Sequence, residues 1–215
     1  LIPFLFLFRD RKILTLFITC FIFIFILSSV KRGAILVGIV SLVIYFIYLS
    51  KQFARRNFVV RYLWLLLLIS FIAGALYYFA ENNGYMQMRI QNTLDGSNES
   101  RVYGYSKLFQ YWWRSQSVIS VLFGFGFLAS FEIWGNYAHN DWLELLTNFG
   151  LVGVLIYLWL FIVIFKKAYA KNIAMEDKYM ILMLIIGLLL RSIFSMGYNN
   201  IDTCVTTLLL GGVLG

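Results

Sequence analysis

Five long apolar stretches constrain what this sequence can fold into. They cover about Ile13–Ser29, Ala34–Ser50, Tyr62–Ala80, Phe149–Phe165 and Tyr179–Met196. Each approaches the roughly 20 residues that an α-helix needs to cross the hydrocarbon core of a bilayer. With 61% hydrophobic and only 13% charged residues, the chain is neither an ordinary soluble domain nor a disordered one. The sequence therefore predicts an all-α polytopic membrane protein with five full transmembrane helices.

Two shorter apolar runs stand at the ends of the sequence, Leu1–Phe8 and Thr203–Gly215. As helices they would reach only about 12 Å and about 20 Å, which is short of the roughly 30 Å hydrocarbon core. We expect both to be truncated helices. On this interpretation residues 1–215 form a single membrane domain that is a fragment of a larger protein.

The net charge of +8 is concentrated in three short loops between the apolar runs. An excess of Lys and Arg in alternate loops is typical of cytoplasmic loops, so it indicates membrane orientation rather than nucleic-acid binding. The three loops contain Arg9, Arg11 and Lys12; Lys51, Arg55, Arg56 and Arg61; and Lys166, Lys167, Lys171 and Lys178. The long segment 81–148 is then predicted to lie on the opposite, periplasmic side, as a large loop.

This outer loop is predicted to contain short helices, because a connection of this length is usually structured or functional. Arg101–Ser117 is expected to form an interfacial helix in which Arg101, Tyr105, Leu108 and Trp112 share one narrow face. The next segment, Val118–Ala129, is apolar but too short to cross, so it is predicted to be re-entrant or superficial. Its Gly124-Phe125-Gly126 sequence favours a backbone turn over a phosphate cradle.

Four ionisable side chains are expected on the outer side: Arg32, Arg101, His139 and Arg191. Ionisable groups near a membrane are costly to bury, so they mark candidate sites. Arg32 could instead anchor headgroups beside Lys31, and the Arg191 side chain could extend to the outer interface. His139 is the only histidine, so it cannot build a metal site alone, but it can act as a general base near neutral pH.

The surroundings of His139 leave two interpretations open. If Asn136 caps a helix whose third residue is His139, the positive helix end disfavours imidazolium and leaves a ring that can accept a proton. If instead the face shared with Leu143, Leu146 and Gly150 is buried, His139 is a packed core residue.

Carboxylates and aromatic residues flank this histidine. Asp141 with either Glu144 or Glu132 could form an acid/base pair, but carboxylates on a loop helix are mostly solvated, and that is what we expect. No Asp-x-Asp metal pattern stands beside them. The aromatic side chains could stack on sugar rings, but a membrane-interface belt is the favoured prediction for Trp112, Trp113, Trp134, Tyr137 and Trp142.

Taken together, these segments resemble the bacterial O-antigen ligase and O-antigen polymerase superfamily. The most specific match is Ala138-His139-Asn140 followed by Gly150-Leu151-Val152-Gly153. The segment Val118–Ala129 resembles the apolar Gly-x-Gly segment that precedes it, and Arg101 resembles the arginine that opens the outer loop helix. The turn Ser28–Ala34 resembles a Ser-Arg-Gly turn, although Lys31 stands where serine is more common.

The resemblance implies a GT-C-like membrane glycosyltransferase of the bacterial inner membrane, acting at the periplasmic face without a metal or other cofactor. The donor would be a glycan on undecaprenyl pyrophosphate, and the acceptor a glycan, a lipid A core sugar or a protein. Arg32 and Arg101 would bind the pyrophosphate, with Arg191 as a further phosphate contact, since guanidinium binds phosphate oxygens in bidentate fashion. His139 would deprotonate the acceptor hydroxyl.

A transporter or flippase of lipid-linked glycans is the alternative from another class. Such a protein should place ionisable residues near the middle of the membrane and interrupt its helices there. Here the charges gather at the outer edge instead, which favours the enzyme.

The predicted orientation can be tested by cysteine labelling. In the full-length protein with Cys20 and Cys204 replaced, single cysteines at Ser97 and Lys171 should react with an impermeant maleimide from opposite sides of the membrane. Labelling of both positions from the same side would contradict the assignment of 81–148 to the periplasm.

Overall fold

The structure is a computed structural model that describes residues 2–8, 12–28, 32–53, most of 66–91, 99–195 and 201–214. Every regular element in these ranges is a helix, which confirms the all-helical part of the predicted fold class. Besides helical residues within 66–91, the elements are, in chain order, a 3₁₀ helix Ile2–Phe8, α1 Lys12–Ser28, α2 Arg32–Phe53, α3 Glu99–Trp113, α4 Val118–Phe123, α5 Ala129–Trp134, α6 Asp141–Ala168, α7 Met175–Phe194 and α8 Ile201–Leu214.

Four of the five predicted spans fall on helices of this set, namely α1, α2, α6 and α7. The remaining one, Tyr62–Ala80, lies partly outside the described residues. Within the described ranges, two helices are long and apolar enough to cross a membrane, Gly33–Lys51 and Asp141–Ala168. The number of five full transmembrane helices stays a prediction.

The chain divides into two compact units. The first comprises residues 1–91 and 168–187. In it the 3₁₀ helix packs against α1 and α2, with Leu5 fully buried and the Phe6 ring 5.2 Å from that of Tyr45. The Tyr45 hydroxyl donates to the Leu5 carbonyl oxygen at 3.3 Å. The segment predicted as a truncated α-helix is thus a short 3₁₀ helix within this core.

The second unit comprises residues 92–167 and 188–215. Here α3 begins two residues before the predicted start and ends at Trp113. Its Leu108 and Trp112 side chains are buried, and the Trp112 indole N–H donates to the Val121 carbonyl oxygen of α4 at 3.1 Å. A side chain at Gly104 would overlap the Trp134 indole of α5. The face expected to lie on lipid is therefore partly buried against α4 and α5.

Helix α6 is interrupted at Gly150, where φ is 66° and ψ is −160°. The Tyr157 hydroxyl donates to the Asp141 carboxylate at 2.9 Å, and the Trp142 ring stacks on Phe161 at 5.9 Å. In a straight helix, residues 16 apart would be separated by about 24 Å. The contacts are possible only because the arm 141–149 folds back along the arm 151–168.

The fold-back shortens the part of α6 that could cross a bilayer. An arm of 18 residues, 151–168, reaches about 27 Å, close to the roughly 30 Å of a hydrocarbon core. The break also frees backbone carbonyls, because the helical hydrogen bonds stop there. The Thr147 carbonyl oxygen accepts from the Phe125 N–H at 2.9 Å, and the Asn148 carbonyl oxygen accepts from the Gly126 N–H at 3.1 Å.

Two glycines allow the loop 124–126 to approach the break this closely. A Cβ at Gly124 would lie 2.4 Å from the Asn148 carbonyl, and one at Gly150 would lie 2.5 Å from the Leu122 carbonyl. Both have positive φ with ψ near −160°, a region open essentially only to glycine. The backbone turn predicted for Gly124-Phe125-Gly126 is confirmed, and its N–H groups bind backbone rather than phosphate.

We expect Gly124→Ala to destabilise the protein more than Gly126→Ala. Both positions have positive φ, 78° and 104°, so each substitution costs about 1–3 kcal/mol in backbone strain. Only at Gly124 does the added methyl also meet backbone, whereas nothing lies within 4 Å at Gly126. Thermal unfolding of the two detergent-solubilised variants measures the difference. Equal midpoints would show that the close approach to the break contributes no stability.

Candidate active site

His139 lies in the loop 135–140, which connects α5 to α6. The loop begins at Gly135, where φ is 83° and the N–H donates to the Phe131 carbonyl oxygen at 2.7 Å. His139 itself has φ 53°, in the left-handed region that few residues other than glycine adopt. Its imidazole is partly exposed. The histidine is therefore presented on an unusual backbone conformation outside any helix.

The residue that caps α6 is Asn140, so the interpretation in which Asn136 caps a helix that contains His139 is wrong. The Asn140 side-chain oxygen accepts from the Leu143 N–H at 3.1 Å, and its carbonyl oxygen accepts from the Glu144 N–H at 3.0 Å. The Asn136 side chain instead accepts from the neighbouring Tyr137 N–H at 2.8 Å. His139 thus precedes the helix and shares no helical face with Leu143, so the packing argument does not apply.

Glu144 is the centre of a buried polar network beside this loop. Its carboxyl group has no solvent exposure (0%) and accepts three hydrogen bonds. The donors are the Ser130 hydroxyl, the Ala138 N–H at 2.5 Å and the Asn148 side-chain amide at 3.4 Å. The Asn148 amide oxygen in turn accepts from the Ser130 N–H at 3.1 Å. One carboxyl group therefore joins α5, the His139 loop and α6.

Asp141 is also fully buried, with the Tyr157 hydroxyl as a donor. The expectation that Asp141 and Glu144 are solvated was wrong, and only Glu132 is exposed. The sequence did contain a signal, because Asp141, Glu144 and Asn148 recur at the i, i+3, i+7 spacing of a single helical stripe. What it could not show is that this polar stripe faces α5 and the second arm of α6.

The end of α7 contacts the segment that follows His139. The Asn140 side-chain amide donates to the Ile193 carbonyl oxygen at 3.1 Å, and the Trp142 indole N–H donates to the Ser192 hydroxyl at 3.0 Å. Arg191, which is partly exposed, directly precedes these two contact residues. The structure thus brings the α7 turn that contains Arg191 to the start of α6.

Arg101 is exposed in the first turn of α3. One turn further along, Gly104 packs against Trp134, the last residue of α5. Burial raises the pKa of the nearby Tyr105 phenol, and the positive charge of Arg101 partly opposes that shift. The arginine helix therefore packs on the helix that leads directly into the His139 loop.

Arg32 begins α2 in the other unit, and its side chain lies outside the described residues, as does Lys31. The second unit alone therefore combines three of the predicted residues: Arg101 on α3, His139 before α6 and Arg191 on α7. The contribution of Arg32 to this site stays a prediction.

Four of the five aromatic residues predicted for an interface belt have packing roles, since Trp134 lies against Gly104 and the Tyr137 ring lies 5.3 Å from that of Phe131. Trp112 is buried, and Trp142 lies against the Tyr157 and Phe161 rings at 5.3 and 5.9 Å. Trp113 is 70% exposed and could meet either lipid or sugar.

Comparison with known families matches residues 15–158, more than half of the 215-residue chain, to the family described as O-antigen ligase. This chain belongs to the O-antigen ligase family. The matched range includes the His139 loop, the Gly124 turn and the break at Gly150, so the resemblance seen in the sequence is confirmed. Neither the comparison with curated proteins nor that with solved structures finds a match.

Family membership indicates the general class of activity. O-antigen ligases are membrane proteins that transfer or polymerise lipid-linked glycans, with a glycan or lipid A as the acceptor. The helical structure, with two helices among the described residues that are long and apolar enough to cross a membrane, agrees with this class.

Asn140→Ala should destabilise the start of α6 more than Asn136→Ala. The Asn140 side chain caps the helix and also binds the Ile193 carbonyl, whereas that of Asn136 contacts only its own neighbour within the described residues. Loss of a helix cap alone costs about 0.5–2 kcal/mol. Thermal unfolding of the two variants in detergent checks the difference, and a matching loss in both would contradict the assignment of Asn140 as the cap.

Proposed function

We propose that this protein is a metal-independent glycosyltransferase of the bacterial inner membrane, with its active site at the periplasmic face. It transfers a glycan from undecaprenyl pyrophosphate to a hydroxyl group of a glycan, lipid A core or protein acceptor. His139 is the general base, and Arg101, Arg32 and Arg191 bind the pyrophosphate.

The presentation of His139 is the observation that carries this proposal. The residue is partly exposed, and its side chain makes no hydrogen bond to another residue in the described part of the chain. The residues on both sides are held by hydrogen bonds, Ala138 to Glu144 and Asn140 to Leu143 and Ile193. A ring nitrogen on a fixed backbone can accept a proton from an incoming hydroxyl.

The reaction balances with these groups. The acceptor oxygen forms a bond to the anomeric carbon while the bond from that carbon to the pyrophosphate oxygen breaks. The acceptor proton passes to His139, and the electron pair leaves with undecaprenyl pyrophosphate. Guanidinium groups stabilise the charge that develops on this leaving group, because they stay protonated and bind two phosphate oxygens at once.

The position of α3 supports a role for Arg101 in particular. The arginine is exposed, and its helix packs through Gly104 against the end of α5, only five residues before His139. In a displacement at the anomeric carbon, the leaving group and the attacking hydroxyl lie on opposite sides of that carbon. Arg101 and His139, on adjacent elements of one unit, fit the contacts to these two groups.

Substitution of His139 in the full-length protein is the direct test. His139→Ala should abolish extension or transfer of the glycan in a strain that lacks the native enzyme, because base catalysis contributes about 10²–10⁴-fold. His139→Asn is the sharper variant, since asparagine also tolerates the left-handed backbone but cannot accept the proton. The polysaccharide ladder on a gel provides the measurement.

Asn136→Ala is the matched control, because Asn136 is an exposed side chain in the same loop. It should give a normal ladder, and all variants should insert into membranes at wild-type levels. A normal ladder from His139→Asn would refute the catalytic role. The purified wild-type protein should keep its rate in EDTA, and loss of activity there would refute metal independence.

A further inference from the structure

We infer that Glu144 is a positioning residue for the glycan transfer, acting through the backbone that presents His139. This inference rests on the proposed role of His139 as the base.

Burial excludes direct contact between Glu144 and a substrate. Its side chain is 0% exposed, and both carboxyl oxygens are occupied by donors from the protein. A buried carboxyl group is costly unless it is hydrogen-bonded, and the three donors around Glu144 point to a structural task for it.

The hydrogen bond from Ala138, the residue next to His139, indicates that Glu144 holds the backbone of the histidine loop in place. The Ala138 N–H donates to one Glu144 oxygen at 2.5 Å, and on the other side of the histidine the Asn140 side chain caps α6 and binds the Ile193 carbonyl. His139 is thereby fixed between two anchored neighbours in its left-handed conformation, with φ 53°. Without the Glu144 acceptor, the Ala138 anchor is lost and the histidine backbone can relax.

The second Glu144 oxygen connects the same loop to the arginine helix. It accepts from the Ser130 hydroxyl of α5, and α5 packs through Trp134 against Gly104 of α3, one turn from Arg101. One carboxyl group thus sets the spacing between the element that carries the base and the element that carries a leaving-group contact. A catalytic group displaced by about 1 Å can lose about 10²-fold in rate.

The test measures two properties of the full-length purified protein. The first is the split between kcat and the KM for the lipid-linked donor. The second is the rate at which diethyl pyrocarbonate modifies the His139 imidazole, followed by mass spectrometry of the peptide that contains it. The second readout reports on the histidine itself and does not depend on activity.

The variants are Glu144→Gln and Ser130→Ala, with Glu132→Gln as the control. Glutamine has nearly the same size but offers one oxygen acceptor in place of two, and Ser130→Ala removes one of the three donors. Glu132 is an exposed carboxylate on the same short helix as Ser130. For Glu144→Gln, kcat should fall about tenfold to hundredfold, donor KM should stay within about twofold and the modification rate should rise several-fold. Ser130→Ala should shift in the same directions by less, and Glu132→Gln should match the wild type.

Two results would overturn the inference. The first is a wild-type kcat together with a wild-type modification rate in Glu144→Gln. The second is failure of both Glu144→Gln and Ser130→Ala to insert and fold, which would make the network a folding element only. If only Glu144→Gln fails to fold, the changes in kcat and in the His139 modification rate of Ser130→Ala decide whether the inference holds.

The catalytic role of His139 and the positioning role of Glu144 can be refuted independently of each other. An active His139→Asn variant refutes the base, whatever the modification rates are. An inactive His139→Asn combined with a wild-type Glu144→Gln refutes only the positioning role.

Discussion

A break in an apolar helix must be repaired inside the protein, because lipid offers no partners to the freed backbone groups. In this chain the repair is made by the turn 124–126, whose N–H groups bind the carbonyls of Thr147 and Asn148 beside Gly150. The approach works only because Gly124 and Gly150 lack side chains. The fold-back of α6 depends on this repair, and so do the burial of Asp141 and the placement of the His139 loop.

The buried polar groups follow from the same fold-back. Once the arm 141–149 packs against its own continuation and α5, its polar stripe loses access to water. Each carboxyl group then needs donors from the protein, which Tyr157 supplies to Asp141 and which Ser130, Ala138 and Asn148 supply to Glu144. The network converts a costly burial into a rigid link between helices and the loop that holds the histidine.

The sequence predicted the helices well where hydrophobic periodicity or run length is a local property, as in α1, α2, α3 and α7. It failed where the answer depends on a tertiary partner. Asn136 and Asn140 are equally good caps by residue type, and it is Asn140 that caps α6 while its side-chain amide binds the distant Ile193 carbonyl. Likewise, nothing local shows that the stripe of Asp141, Glu144 and Asn148 faces the interior. The proposed base was identified because histidine is rare here, since a single histidine stands out in an apolar chain.

The fold-back at Gly150 also has a consequence for depth in the membrane. Asp141 is level with Tyr157, which lies six residues, or about 9 Å, into the arm 151–168 from its outer end. On the orientation predicted from the basic loops, the start of α6 and the His139 loop would therefore lie below the outer end of that arm, inside the outer part of the bilayer rather than above it. The pyrophosphate of the proposed polyprenyl-linked donor would reach that depth without leaving the bilayer. The proposed acceptor, in contrast, would have to reach into the bilayer surface from outside. Access of the acceptor hydroxyl to the site, more than binding of the donor, would therefore determine the shape of the opening to the site.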